Sequence, residues 1–294
     1  MTKFFSSVAA AAVLAFGGVS GASAALMIDG ISVPAGATFS TITLFEGERL
    51  GGTVSNGNGV IDQGGEELVG VGLVNQIFDA DNNLIWSNGD NGRKLTVVLE
   101  NFFAATFVTD SFGSGSNITN VVDIGFLGGS VKIYSSSSAV AFNASGNQAA
   151  ALAAAATGNV WLDLVGSPSG GQFMGNDITL KSTGLIKGGN PLTTVNTNVT
   201  GQGFLDVVGG LAALNFDTNA FGCQVTDGVP CPDAADIKFT SSGQLAAIGT
   251  NQFGFRGTGE ITSFVVPLPG TLALTGLALV GLGLTGRRNK VAKA

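Results

Sequence analysis

The chain is 294 residues long, with 20 acidic against 13 basic side chains and a formal charge of −7, a balance that repels nucleic acid and anionic lipid. Histidine is absent, which removes the commonest general base and the commonest transition-metal ligand. The length between the two terminal segments suits one large β domain or two small ones.

At the start, Lys3 supplies a positive charge and Val8 to Phe16 an apolar stretch. The small-residue run Ala22-Ser23-Ala24-Ala25 follows. That order predicts a secretory signal over residues 1–24, cleaved between Ala24 and Ala25. The apolar stretch is too short for a permanent membrane span. Residues 25–265 are then the expected mature domain. Losing both ends removes Lys3, Arg287, Arg288, Lys290 and Lys293, leaving 8 basic against 20 acidic residues and a net charge of −12.

The mature region is rich in Gly, Ser, Thr and Asn, with apolar runs of strand length between them. Ser40 to Phe45 alternates polar and apolar. Leu68 to Phe78 and Leu84 to Trp86 flank Asp79-Ala-Asp81-Asn-Asn83, turn chemistry that predicts a hairpin. Leu95 to Leu99 is β-branched. Further strands are expected at Val131–Tyr134, Val160–Val165, Asp177–Lys181, Leu205–Val208, Ile237–Thr240 and Gly259–Val266. One short Ala-rich helix interrupts them over Gln148 to Ala156, capped by Ser145-Gly-Asn147 and stopped by Gly158. Thr183 to Gly203, dense in Gly, Asn and Thr, is expected to be a long loop. The whole predicts a mainly β chain: a single antiparallel β-sandwich-like domain.

Chemistry is sparse along this stretch. No nucleophile elbow appears and the carboxylates are scattered, so a polysaccharide hydrolase, which needs two facing acids, is the least favoured reading. Two segments suggest calcium. Asn56-Gly-Asn58-Gly-Val-Ile-Asp62 copies the centre of an EF-hand loop, but Val54 stands at the first ligand position and Gly65 at the closing one, with Glu66 a residue late. Asp79, Asp81 and Asn83, with Asp90, match other ligand positions, yet Leu84 replaces the turn glycine. The competing reading is a pair of solvated turns, which the same residues favour without any ion. Trp86, Trp161 and Tyr134 offer a sugar-stacking platform, although the two tryptophans sit in strand-like patterns suited to a core. Cys223 and Cys231 flank an Asp-Gly turn, a spacing that fits one disulfide closing a small loop in an exported chain. A metal or redox role is the lesser alternative.

The tail over residues 266–294 opens on Val266-Pro267-Leu268-Pro269. An apolar run to Gly286 follows, long enough at about 30 Å to span a bilayer as a helix, and then the cluster Arg287-Arg288-Asn-Lys290. The basic cluster favours a cytoplasmic end, which puts the domain outside. This tripartite order resembles the PEP-CTERM sorting signal that exosortases process, with Leu268 where the usual pattern has Glu. An uncleaved membrane anchor is the alternative.

Several mature segments resemble flocculation-associated PEP-CTERM proteins. They include Gly72-Leu-Val-Asn-Gln-Ile-Phe-Asp, Gly92-Arg-Lys-Leu-Thr-Val-Val-Leu and Ser130-Val-Lys-Ile-Tyr-Ser. Gly158-Asn-Val-Trp-Leu-Asp-Leu-Val-Gly and Ile237-Lys-Phe-Thr-Ser-Ser extend the likeness. The resemblance implies a non-enzymatic protein of the cell surface or extracellular matrix that promotes floc formation with exopolysaccharide. It implies exosortase and the secretion machinery as partners, transient membrane contact through the tail, and no catalytic residues. The alternative function is a carbohydrate- or calcium-binding module. No cofactor is expected beyond that open question of calcium.

Overall fold

Apolar and polar side chains alternate along most segments of the chain, and a backbone whose successive residues point to opposite faces turns that alternation into strands with one buried side. The computed structural model describes residues 26–33, 37–112, 119–138, 147–187, 198–221, 234–245 and 253–264. In chain order the elements are β1 (Leu26–Ile28), β2 (Ile31–Val33), β3 (Thr38–Glu48), β4 (Glu67–Phe78), β5 (Leu84–Ser87), β6 (Lys94–Phe112) and β7 (Thr119–Ser136). Then come helix α1 (Gln148–Ala155), β8 (Asn159–Gly166), β9 (Gln172–Phe173), β10 (Asn176–Asp177), β11 (Leu180–Lys187) and β12 (Asn198–Gly209). Helix α2 (Ala213–Phe216), β13 (Ile237–Leu245) and β14 (Phe255–Ser263) complete the set.

The chain is mainly β, built on one large antiparallel sheet. Its hydrogen-bonded path returns to its starting point. From β3 it passes through β4, β6 and β7, and from β12 through β13 and β14 back to β3, where Phe255 lies opposite Glu46. One lane joins β7 to β12, and two strands share it. At one end β8 pairs with both, Ser130 facing Val165 and Leu205 facing Gly166. At the other end β11 does so, with Leu180 between Phe126 and Gly203. The excursion 167–179, which holds the β9–β10 hairpin, interrupts the lane between them. Among the described residues the result is an up-and-down ring of eight lanes that closes on itself, and its opposite walls are the two apolar layers of the core.

The ring's two ends differ. At one, β1 and β2 turn through Asp29 and Gly30, both at positive φ, and the hairpin is tied down by the Arg93–Asp29 ion pair of 2.6 Å. Beneath it Phe39, Trp161 and Phe216 stack pairwise at 5.5–5.8 Å between ring centres, all fully buried. The other end carries the long β3–β4 connection, residues 49–66, and a hollow interior. Outside the ring, α1 lays Ala151, Leu152 and Ala155 on Val69, Val71 and Val98. Asn147 caps this helix through its side-chain oxygen, which accepts from Ala149 N at 2.8 Å.

The expected strands at 68–78, 84–86 and 95–99 are present, as are the 79–83 hairpin and the short helix. The described residues of the expected loop over Thr183 to Gly203 are strand: β11 runs to Lys187 and β12 starts at Asn198. Glycines there follow the lumen side of the lane and need no side chain to stay paired. Asp177 belongs to β10, so the strand expected from it begins at Leu180. The signal peptide with Ala24 and Ala25, the pair Cys223 and Cys231, and the tail from Val266 lie outside the described residues. Among those described, no helix is long and apolar enough to cross a membrane.

Candidate functional site

Side chains on the outer face of the ring are set in rows by the strand register. Asp123, Thr183, Thr200, Ser242, Thr258 and Thr43 are successive cross-strand partners on six neighbouring strands. Strands stand about 4.8 Å apart, so the row repeats a polar group at about that interval. A second row beside it holds Lys181, Gln202, Thr240 and Glu260. The two rows border a shallow groove of about 490 Å³, lined also by Phe204.

Hydrogen bonds organise the rows. The Thr183 hydroxyl donates to Asp123 Oδ1 at 2.6 Å, and Lys181 Nζ pairs with Asp123 Oδ2 at 2.8 Å. Burial pushes the Asp123 carboxyl up, but the bonds from Lys181 and Thr183 outweigh it and hold the group below its ordinary value. Ser242 and Thr258 hydroxyls lie 3.3 Å apart, and Asn75 Nδ2 donates to the Thr43 hydroxyl at 3.1 Å. Two rings flank the rows: Lys181 sits over Phe173 at 4.9 Å and Arg256 over Phe45 at 5.6 Å. Thr200, Gln202, Ser242, Thr258 and Glu260 are exposed. This stretch of the outer face is polar, unlike the lipid-facing band of a membrane-spanning barrel.

The calcium candidates fall into two groups at opposite ends of the ring. Near the hollow end, Asn56 Nδ2 and Asn58 Nδ2 each donate to one oxygen of Asp62 at 2.7 Å. Their own oxygens accept from Asn58 N and Val60 N, so both amides are oriented by turns and present N–H, not oxygen, to the carboxylate. Glu48 accepts from Gly57 N and Gly59 N, and Glu66 Oε2 from Asp62 N and Gln63 N. The loop is therefore closed by its own bonds. Burial raises the Glu66 carboxyl, and its Oε1 is buried with no hydrogen-bond partner. At the plugged end, Asp79 accepts from Asp81 N, Asn83 N and Asn83 Nδ2. The Asn83 bonds hold it below the ordinary carboxylate value. These are exposed turns, and Asp90 caps another by accepting from Ser87 N. Among the described residues no group of three or more carboxylate, imidazole or thiol ligands is placed to hold a metal.

Trp86 and Trp161 are fully buried and form core, not a sugar platform. Neither the outer rows nor Glu46 was singled out from sequence. The rows exist only in the register of strands up to about two hundred residues apart. Glu46 was within reach: Leu44 is a core position, and the period of two puts Glu46 on the same face.

Glu46 points into the hollow end, a cavity of about 240 Å³ inside the ring. Phe107, Ile124 and Phe126 line one wall, Leu180 and Val199 another, and Phe255 a third, each two residues from its neighbour where a strand contributes twice. Across the β3–β4 pair Gly70 stands opposite Glu46, and a Cβ there would come within 3.2 Å of the Glu46 Cγ. Gly184 and Gly201 similarly leave space on the far wall. Glu46 has no hydrogen-bond partner among the described residues, and burial pushes its carboxyl from an ordinary 4.5 to about 7.

No family model, curated protein or solved structure matches the chain.

Proposed function

We propose that this is an exported protein of the cell surface or extracellular matrix that promotes cell aggregation by associating with exopolysaccharide. It acts as a structural binder and not as an enzyme. The observation that carries the reading is the outer row of hydroxyls from Thr183 to Thr43 beside the row of Lys181, Gln202 and Thr240. A polysaccharide strand offers hydroxyls at similar intervals. A rigid row of donors and acceptors exchanges hydrogen bonds with it at many points, each weak and together sufficient. In this reading opposite walls of the ring act as the two layers of a sandwich-like body, one of which faces the polymer. Exosortase processing of the tail at Pro267 to Pro269 delivers the domain, with the membrane held only in transit.

The test is retention on the cell's own exopolysaccharide. Replacing Thr183, Thr200 and Thr258 by Val and Ser242 by Ala keeps strand propensity while removing four hydroxyls. Retention is expected to fall about thirty-fold or more, since four lost bonds at about 0.5–1.5 kcal/mol each sum to at least about 2 kcal/mol. Retention equal to the wild type would remove the row from the function. Delivery is tested separately by deleting residues 267–294, which should leave the domain off the cell surface and abolish cell aggregation. Unchanged fractionation with unchanged aggregation counts against the sorting reading.

The calcium module remains the second reading, supported by the orphaned Oε1 of buried Glu66 beside Asp62.

A further inference from the structure

We propose that the cavity at the hollow end of the ring is a binding site for a small apolar amine, with its hydrocarbon part against the inner walls and its ammonium group on Glu46. Size sets the first limit. An apolar cavity of about 150 Å³ accepts benzene, and drug-sized ligands need about 300 Å³ or more. At about 240 Å³ the space lies between these, and an eight-lane barrel has room for one small ligand once its interior is thinned. Gly184 and Gly201 on the lining do that thinning.

Charge sets the second limit. Among the described residues, Glu46 and Asp62 are the charged side chains on the lining, and both are acidic. The Asp62 oxygens are already occupied by Asn56 and Asn58. Glu46 is not occupied, so it is the carboxylate on the lining open to a ligand. A cationic head supplies the missing counter-charge, while an anionic head would meet two carboxylates. Hydroxyls of Ser182, Ser241 and Thr109 lie on the same lining as further acceptors for ammonium N–H, and Thr109 is exposed at the rim. The position of the Glu46 pKa near 7 agrees with this, since a buried carboxylate without a partner is what an ammonium relieves.

Calorimetric titration of the purified full chain at pH 8 with hexylamine, hexanol and hexanoate tests the proposal. Hexylamine is expected to bind saturably at one site, hexanol more weakly and hexanoate not at all. Glu46→Gln should weaken hexylamine by about ten-fold or more and leave hexanol within about two-fold. Gly184→Leu should abolish both, because a Cβ there meets nothing closer than 3.8 Å and the longer side chain fills the space. Should that variant fail to fold, Val199→Phe fills the same wall, and methyl resonances of Val122, Ile124 and Val199 in the wild type report occupancy directly. The proposal is overturned if hexylamine does not saturate or if Glu46→Gln binds it unchanged. Hexanoate binding tighter than the amine, shifts confined to other methyls, or a folded filled variant that still binds would overturn it equally.

Discussion

Glu46→Gln is expected to stabilise the protein by about 1–3 kcal/mol at pH 8 and to leave it nearly unchanged at pH 4. The full rise from 4.5 to about 7 converts at about 1.4 kcal/mol per unit to about 3.5 kcal/mol, and the partial exposure of Glu46 brings the expected effect below that. The direction follows from proton binding. An acid whose pKa is higher folded than unfolded keeps its proton longer in the folded state. As pH climbs past 4.5 the unfolded chain ionises first, so wild-type stability declines until about pH 7 and then levels. Glu66, also raised by burial, contributes with the same sign, so only the difference between wild type and variant isolates Glu46. Assignment is unusually clean because the chain has no histidine to titrate in that window. Urea unfolding of both proteins from pH 4 to 8 measures it. Parallel stability curves would mean that Glu46 is solvated in the native state.

Glu46 also marks where sequence stopped being informative. Strands with a continuous apolar run, such as Leu68 to Phe78 and Leu95 to Leu99, were legible because burial of both faces leaves few polar interruptions. The short helix was legible from its alanines and the cap at Asn147. The lane of β11 and the start of β12 were not, because Ser182, Gly184 and Gly201 sit at inward positions where an apolar side chain would be expected. Those residues weaken the strand pattern for the same reason that they leave a cavity. Ring closure was beyond local pattern altogether: Phe255 meets Glu46 through pairing that no short window encodes. The loop from Asn56 to Glu66 offered turn and ligand chemistry alike in sequence, because the same residue types serve both, and here Asn56 and Asn58 bond to backbone N–H groups and to Asp62.

The plugged end should carry the largest single-residue effect, with Trp161→Ala costing about 3–5 kcal/mol. Trp161 is fully buried, stacks edge-on against Phe39 at 71° and Phe216 at 65°, and its Nε1 donates to Ile28 O at 3.3 Å. Truncation leaves a cavity among rigid rings and cuts one tie to the β1–β2 hairpin. Trp86 is as large and as buried, but its Nε1 has no partner. Trp86→Phe therefore discards an unsatisfied donor along with some packing, and its cost should stay near about 1 kcal/mol. Trp161→Phe separates the two contributions: it retains most of the stacking and gives up the bond to Ile28, for about 1–2 kcal/mol. Midpoints of urea unfolding at unchanged slope give all three values. Equal losses for Trp86→Phe and Trp161→Phe would mean that the Ile28 bond contributes nothing, leaving the hairpin to the Arg93–Asp29 pair and the Asn91 bond to Gly30 O.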